Sequence, residues 1–394
     1  MRIKHLVSVS LLVGILSASD NSSLLSSLKQ EKLNIDRQKI ELESDNLKYD
    51  WVKQVMGAYS TSNYNGRSGT VDSSSTLSIT IDQPIFRSGG IYYAIQYAGA
   101  NREFLRLSIT LSEQDLIKSV ISSWLFIKKY DLQIQRQQYL IANAKIDIIR
   151  KKEQYESGFL DSSFLDQAIL TKSGLEKSLI DMESLRYSQL MIFKSLSDSD
   201  YMSITPPTFT MIDKSKYLNS SILLKQQNAD RQRAEYLKKM TIANYLPTVS
   251  LSAGYYDTDN NLDTGDSYSQ IGLKISMPLI DINRGRTIEM SQLDYLKSKI
   301  QMKDKELEES NLYQDYVKKI ELLNKKINIV SNDAKLYDSL LVSTRELFEA
   351  GENTKYDVEN LENSKQAMLL DKKIYEIDVQ QTLLELYAKM YGEI

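Results

Sequence analysis

Few residues in this chain could do chemistry. It has no cysteine, and its one histidine is His5. That excludes disulfides, thiolate metal sites and a cysteine nucleophile. Beyond residue 5 there is no imidazole for general-base work or metal binding. No G-x-S-x-G, P-loop or metal-spaced cluster occurs. The expectation is a protein that is not an enzyme and needs no cofactor and no metal. What remains is carboxylate chemistry at helix ends. Thr354 and Asp357 form a T-x-x-D capping box, and Ser163 and Asp166 repeat the pattern. The pair Glu308-Glu309 reads as solvated charge on an exposed helix face. The formal net charge is −3, and loss of Arg2 and Lys4 takes it to −5, with no basic block of the kind a nucleic-acid partner needs.

These residues belong to a duplicated pattern. Residues 77–86 read LSITIDQPIF and residues 271–280 read IGLKISMPLI. Both alternate apolar with small or polar residues and run into a proline, Pro84 and Pro278, 194 residues apart. Tyr155-Glu-Ser-Gly158 is echoed 193 residues later by Phe348-Glu-Ala-Gly351. A repeat of this length predicts three segments. Residues 1–19 are a signal peptide, with basic Arg2 and Lys4, the apolar run Leu6 to Leu16 and small residues before a cleavage site at Asp20. Residues 20–200 and 201–394 are two structural repeats, each of helix, β-hairpin, long helix, helix. No apolar stretch after the signal is long enough for a spanning helix.

Helix breakers are nearly absent from 88–157 after Gly89-Gly90, and from 286–349; as single helices each would reach roughly 100 Å. Tyr316, Ile320, Leu323, Ile327, Val330, Ala334, Tyr337 and Leu341 alternate spacings of four and three, a heptad seam. Tyr130, Ile134, Ile141, Ala144, Ile148 and Tyr155 follow a similar seam, interrupted at Gln137 and Lys151. Shorter helices are expected over 21–50, 163–197, 216–244 and 354–392, two of which laid end to end match one long helix.

Four strands of about 9–11 residues are expected, the length that spans a bilayer when tilted. The first hairpin turns within 63–70 and the second within 257–266. Leu77, Ile79, Ile81, Leu273 and Ile275 fall on one face, expected to meet lipid; Ser78, Thr80 and Lys274 fall on the other. Trp51, Tyr59, Tyr64, Tyr92, Tyr93, Tyr255, Tyr256 and Tyr268 cluster near strand ends, as an interfacial girdle would. Four strands cannot close a membrane barrel, so a spanning sheet requires several copies.

Signal peptide, repeated helix–hairpin–helix order, strand-ending prolines and a glycine in each distal turn together resemble the TolC-like outer membrane efflux proteins. The pieces that match are Leu246-Pro247, Gln83-Pro84-Ile85-Phe86, Met277-Pro278-Leu279-Ile280 and the turns at Gly158 and Gly351. The resemblance implies a mainly α fold with a membrane β-barrel portion. A long coiled-coil α-helical barrel would accompany four strands per protomer, and a homotrimer would complete a twelve-stranded barrel. It implies an outer membrane location in a Gram-negative bacterium with a large periplasmic portion. The function implied is that of a passive exit duct for efflux or type I secretion. The implied partners are a periplasmic adaptor, an inner-membrane efflux or ABC transporter and outer membrane lipid. In the family, the acidic residue six places after the second turn glycine lines the periplasmic constriction; here it is Asp357. A second acidic residue often follows three later, where this chain has Asn360. A ring of Asp357 carboxylates would favour cations. Some members latch the tip through a tyrosine and a basic residue at positions held here by Phe348 and Asn353, which cannot make that contact. Tyr155, Gly158, Asp166, Phe348, Gly351 and Asn353 are the expected adaptor-contact residues. The competing reading, a periplasmic adaptor with long helical hairpins, would need a lipoyl-like or barrel module that the sequence does not offer.

Overall fold

The computed structural model describes residues 24–65, 71–205, 207–260 and 266–392. The expected signal peptide, with His5, lies outside them, as do residues 66–70 and 261–265 of the two hairpin turns. Eleven elements follow in order: α1 (Ser27–Tyr49), β1 (Met56–Asn65), β2 (Val71–Phe86), α2 (Gly90–Glu156), α3 (Ser162–Leu196), α4 (Lys214–Ser220), α5 (Ile222–Ala243), β3 (Thr248–Asn260), β4 (Asp266–Ser276), α6 (Arg284–Glu349) and α7 (Lys355–Tyr387). No helix among the described residues is long and apolar enough to cross a membrane. The chain forms two compact units. One is all-helical, drawn from the described parts of 1–30, 114–209 and 323–394; the other, from 31–113 and 210–322, carries the sheet.

In the sheet-bearing unit the strands run antiparallel in the order β1-β2-β3-β4. Two differences from expectation stand out. The strands have 10, 16, 13 and 11 residues, so β2 and β3 are longer than expected. The second strand also does not stop at Pro84. It continues to Phe86 through a bulge between Pro84 and Phe86, where a residue lacking N–H costs least. Gln83 supplies the missing bonds. Its amide donates to the carbonyls of Trp51 and Pro84, and its side-chain oxygen accepts from the Lys53 N–H at 2.8 Å. Pro278, by contrast, lies beyond the end of β4.

The helix expected over 216–244 is broken. Ser221 ends α4 and caps α5, its hydroxyl accepting from the Leu224 N–H at 3.3 Å. The break serves a buried anchor: the Tyr217 hydroxyl donates to the Glu309 carboxylate at 2.5 Å, and both side chains are fully buried. Glu309 was expected to be solvated. It is paired instead with Lys305 at 3.5 Å and with Tyr217. Burial first, and then the carboxylate, push the Tyr217 phenol well above its ordinary range. Leu107, Ile222 and Ala229 form the nearby core, with Phe104 and Leu111 packed on it.

Along α6 the heptad seam is the covered side. Ile320, Val330, Ala334 and Leu341 are buried, whereas Ile329, Leu336 and Leu340 on the opposite side are exposed. In the all-helical unit α2 is covered more fully: Ile117, Val120, Ile121, Leu125 and Ile127 are buried. Gln137, the interruption in its seam, is buried too, and donates to the Leu175 carbonyl at 2.8 Å, so the polar side chain is satisfied inside the packing.

Candidate pore-lining and lipid-facing sites

Cross-strand register settles which strand residues share a face. Tyr59 faces Leu77, Gly57 faces Ile79, Ile79 faces Tyr255, Ile81 faces Ala253, Leu251 faces Leu273, Ala253 faces Ile271 and Val249 faces Ile275. One side of the sheet therefore carries an apolar patch over Gly57, Ile79, Ile81, Val249, Leu251, Ala253, Ile271, Leu273 and Ile275, with Asp257 and Ser269 beside it and Gln83 next to Leu251. Its β4 members are 80% (Ile271), 70% (Leu273) and 75% (Ile275) exposed. The other side carries Ser78, Thr80, Asp82, Ser250, Ser252, Tyr256 and Lys274. A cavity of about 320 Å³ opens on it, lined in part by Thr80, Asp82, Ser252, Tyr256 and Gln270. Lys274 and Asp82 pair there at 3.8 Å, and Tyr256 stacks on Tyr268 with ring centroids 5.0 Å apart. An outward apolar face backed by a polar one inverts the pattern of a water-soluble sheet, where the apolar face is covered.

In the all-helical unit the two distal turns are built alike. Gly158 and Gly351 have φ of 73° and 79°, which a side chain would strain. Phe159 N–H reaches the Gln154 carbonyl at 2.8 Å, and Glu352 N–H reaches Leu347 at 2.9 Å, the long bond of a Schellman C-cap. Asp161 caps the next helix, accepting from the Ser163 N–H at 2.8 Å. This corrects the expectation that Ser163 and Asp166 form the first cap. A carboxylate already stands before them, and Asp166 lies exposed on α3. Cap follows glycine by three residues in both turns, Asp161 after Gly158 and Thr354 after Gly351, so the turns match in length. Tyr155 and Phe348 are each about half exposed, and Phe159, which the sequence reading missed, is 85% exposed.

Asp357 is held from three sides. One carboxylate oxygen accepts from the Thr354 N–H at 2.8 Å and the Thr354 hydroxyl at 2.7 Å, within the capping box. The other accepts from Arg150 of α2 at 2.6 Å. The Thr354 hydroxyl, then its N–H, then Arg150 hold the carboxyl below its ordinary range. The carbonyl of Asn360 accepts from Asn143 of α2 at 3.2 Å. Arg150 lies eight residues before Gly158 and Asp357 six after Gly351, so both turns sit at the same end of this unit.

Arg150 was not anticipated, yet it belongs to a regular series. Antiparallel α2 and α7 pair Arg150 with Asp357, Asn143 with Ser364 (3.0 Å), Arg136 with Asp371 (2.7 Å) and Lys129 with Asp378 (2.6 Å). Each step is seven residues on both helices, which returns the same position to the interface. Ser122 stands at the next position, and Glu385 reaches Lys118 instead, at 3.5 Å. In the charged rungs the cations are on α2 and the carboxylates on α7. That polar seven-residue spacing was the available signal.

Residues 215–390 match the outer membrane efflux protein family. No curated protein matches the chain by sequence. Among solved structures, the outer membrane protein VceC of Vibrio cholerae superposes with a TM-score of 0.73 at 15% identity, over 94% of this chain and 95% of that one. The CmeC outer membrane channel of Campylobacter jejuni gives 0.74 at 12% identity, over 95% and 85%. The open state of the Neisseria gonorrhoeae MtrE outer membrane channel gives 0.64 at 12%, over 92% and 87%. Residues 215–390 thus carry the match to that family, and the chain as a whole shares the fold of these solved outer membrane proteins.

Proposed function

We propose that three copies of this chain form an exit duct of the outer membrane, a passive conduit for an efflux or type I secretion assembly. The observation that carries the reading is the sheet. Among the described residues its outer strands, β1 and β4, each have a partner on one side only, and the apolar residues of β4 are uncovered. Edges left open in this way invite pairing with a like strand. Because β1 and β4 run in opposite directions, β4 of one copy meets β1 of the next in the antiparallel sense. Three copies give twelve strands, an even number within the range of membrane barrels. Leu77, Ile79, Ile81, Leu273 and Ile275 then contact outer membrane lipid, and the Ser78–Thr80–Lys274 face lines the lumen.

The helices support the same assembly. On α1, Leu28, Ile35, Leu42 and Tyr49 recur every seven residues and all are exposed. With the exposed side of α6 they offer two further heptad surfaces for neighbouring copies. Under this reading Asp357 and Asn360 lie at the periplasmic entrance. The residues of the two turns, Tyr155, Gly158, Asp166, Phe348, Gly351 and Asn353, contact an adaptor that connects to an inner-membrane transporter. Outer membrane fractions containing the protein, and its reconstitution into planar bilayers as discrete conductance steps, test the proposal. Recovery only in the soluble periplasmic fraction, with no conductance, would refute it.

A further inference from the structure

The Asp357 carboxylate does not stand alone, and this changes what the entrance should select. Both its oxygens are occupied, one by Thr354 and one by the Arg150 guanidinium at 2.6 Å. The other carboxylates in the first turns of α7 are paired as well: Glu359 with Lys355 at 3.1 Å, and Glu362 with Arg345. Seen from more than a few ångströms away, an ion pair in contact acts as a dipole rather than a charge. The field at an aperture follows the net charge within about one Debye length, ~8 Å at physiological salt.

Resting on the duct reading above, we infer that Arg150 sets the ion selectivity of the entrance by cancelling the charge of Asp357. The aspartate is the anionic half of a neutral pair, and its carboxylate acts on permeating ions only when the guanidinium is removed. Arg150 bonds one oxygen of this carboxylate and the capping box uses the other, so the cap keeps its own bonds when the guanidinium is removed. The remaining rungs, at Arg136, Lys129 and Lys118, hold α7 against α2 without it.

The test is a four-member charge cycle in planar bilayers, reading the reversal potential in a potassium chloride gradient. Relative to wild type, Arg150→Met should raise the cation-to-anion permeability ratio by roughly fivefold or more, since three uncovered carboxylates act within one Debye length. Asp357→Asn should shift it toward anions, because it leaves Arg150 uncompensated. The double variant should return close to wild type, and Arg150→Lys, which keeps the charge, should resemble wild type throughout. If Arg150→Met leaves selectivity unchanged while Asp357→Asn lowers cation preference, the aspartate acts alone and the inference is wrong. A variant that fails to assemble shows itself by loss of the oligomer on native gels, and Arg150→Gln then replaces Met in the cycle. Absence of conductance from wild type itself would overturn the duct reading rather than the charge pairing. In that case acid titration of Asp357 by NMR decides the pairing. Arg150→Met should raise its pKa, and an unmoved pKa would overturn the inference.

Discussion

Arginine placed at Leu273 tests the sheet most severely. Leu273 is the middle member of the apolar run Ile271, Leu273, Ile275, and it is 70% exposed on the face proposed to meet lipid. Its cross-strand partner is Leu251, and the diagonal positions are Val249 and Ala253, so no carboxylate adjoins it on that face. The cost at the bilayer midplane is about 2–4 kcal/mol, which is roughly a thirty- to several-hundred-fold shift in the folding equilibrium. Thr80→Arg is the matched control. It opens onto the polar cavity of about 320 Å³ and lies two residues from Asp82 on the same face. Ile79→Arg should fall between the two. Its cross-strand partner is Tyr255, which places Asp257 on the diagonal, close enough for a long side chain to reach. Urea unfolding of protein refolded into phospholipid vesicles, followed by the fluorescence of Trp51 and Trp124, gives the three values. Equal destabilisation by Leu273→Arg and Thr80→Arg would show that the faces are assigned wrongly.

Three further outcomes are expected. Asp161→Ala should destabilise the start of α3 and Ser163→Ala should not, read as amide exchange over residues 162–166; the reverse order would restore Ser163 as the cap. Tyr217→Phe should cost about 1–3 kcal/mol in thermal unfolding, because the buried Glu309 carboxylate loses its hydroxyl donor; an unchanged melting temperature would mean the carboxylate is satisfied without it. The depressed pKa of Asp357 means its contribution to the start of α7 is fully present above the ordinary aspartate range and is lost progressively as pH falls from that range through the lowered folded value. Amides of residues 355–360 should lose protection over that acid range, with Asp357→Asn removing this pH dependence. Protection that does not change as pH falls below the ordinary aspartate range would contradict the depression.

The heptad seam of α6 was legible in the sequence because apolar periodicity reports which side of a helix is covered, and strand alternation reports which residues share a face. The covered residues Ile320, Val330, Ala334 and Leu341 all belong to the seam read from spacing alone. The errors arose where polar groups are used inside the structure. Glu309 reads as a surface charge from its neighbours, and only Tyr217, 92 residues away in sequence, makes its burial tolerable. Pro84 reads as a strand end until the Gln83 side chain is seen replacing the lost backbone bonds. Asp161 was passed over because Ser163-x-x-Asp166 matches a capping box on paper. Arg150 gives no apolar signal: it belongs to a polar seven-residue spacing beside the apolar one, and only the packing of α2 on α7 shows its partner.

The central claim is that the chain becomes a duct only by closing its sheet with other copies. Mass measurement of the full-length protein extracted from membranes in mild detergent tests it most directly. The account predicts a stable species of three chains that persists on dilution. A monomer or dimer as the only stable species would contradict it, since four strands cannot close a membrane barrel and eight would not make the twelve-stranded one.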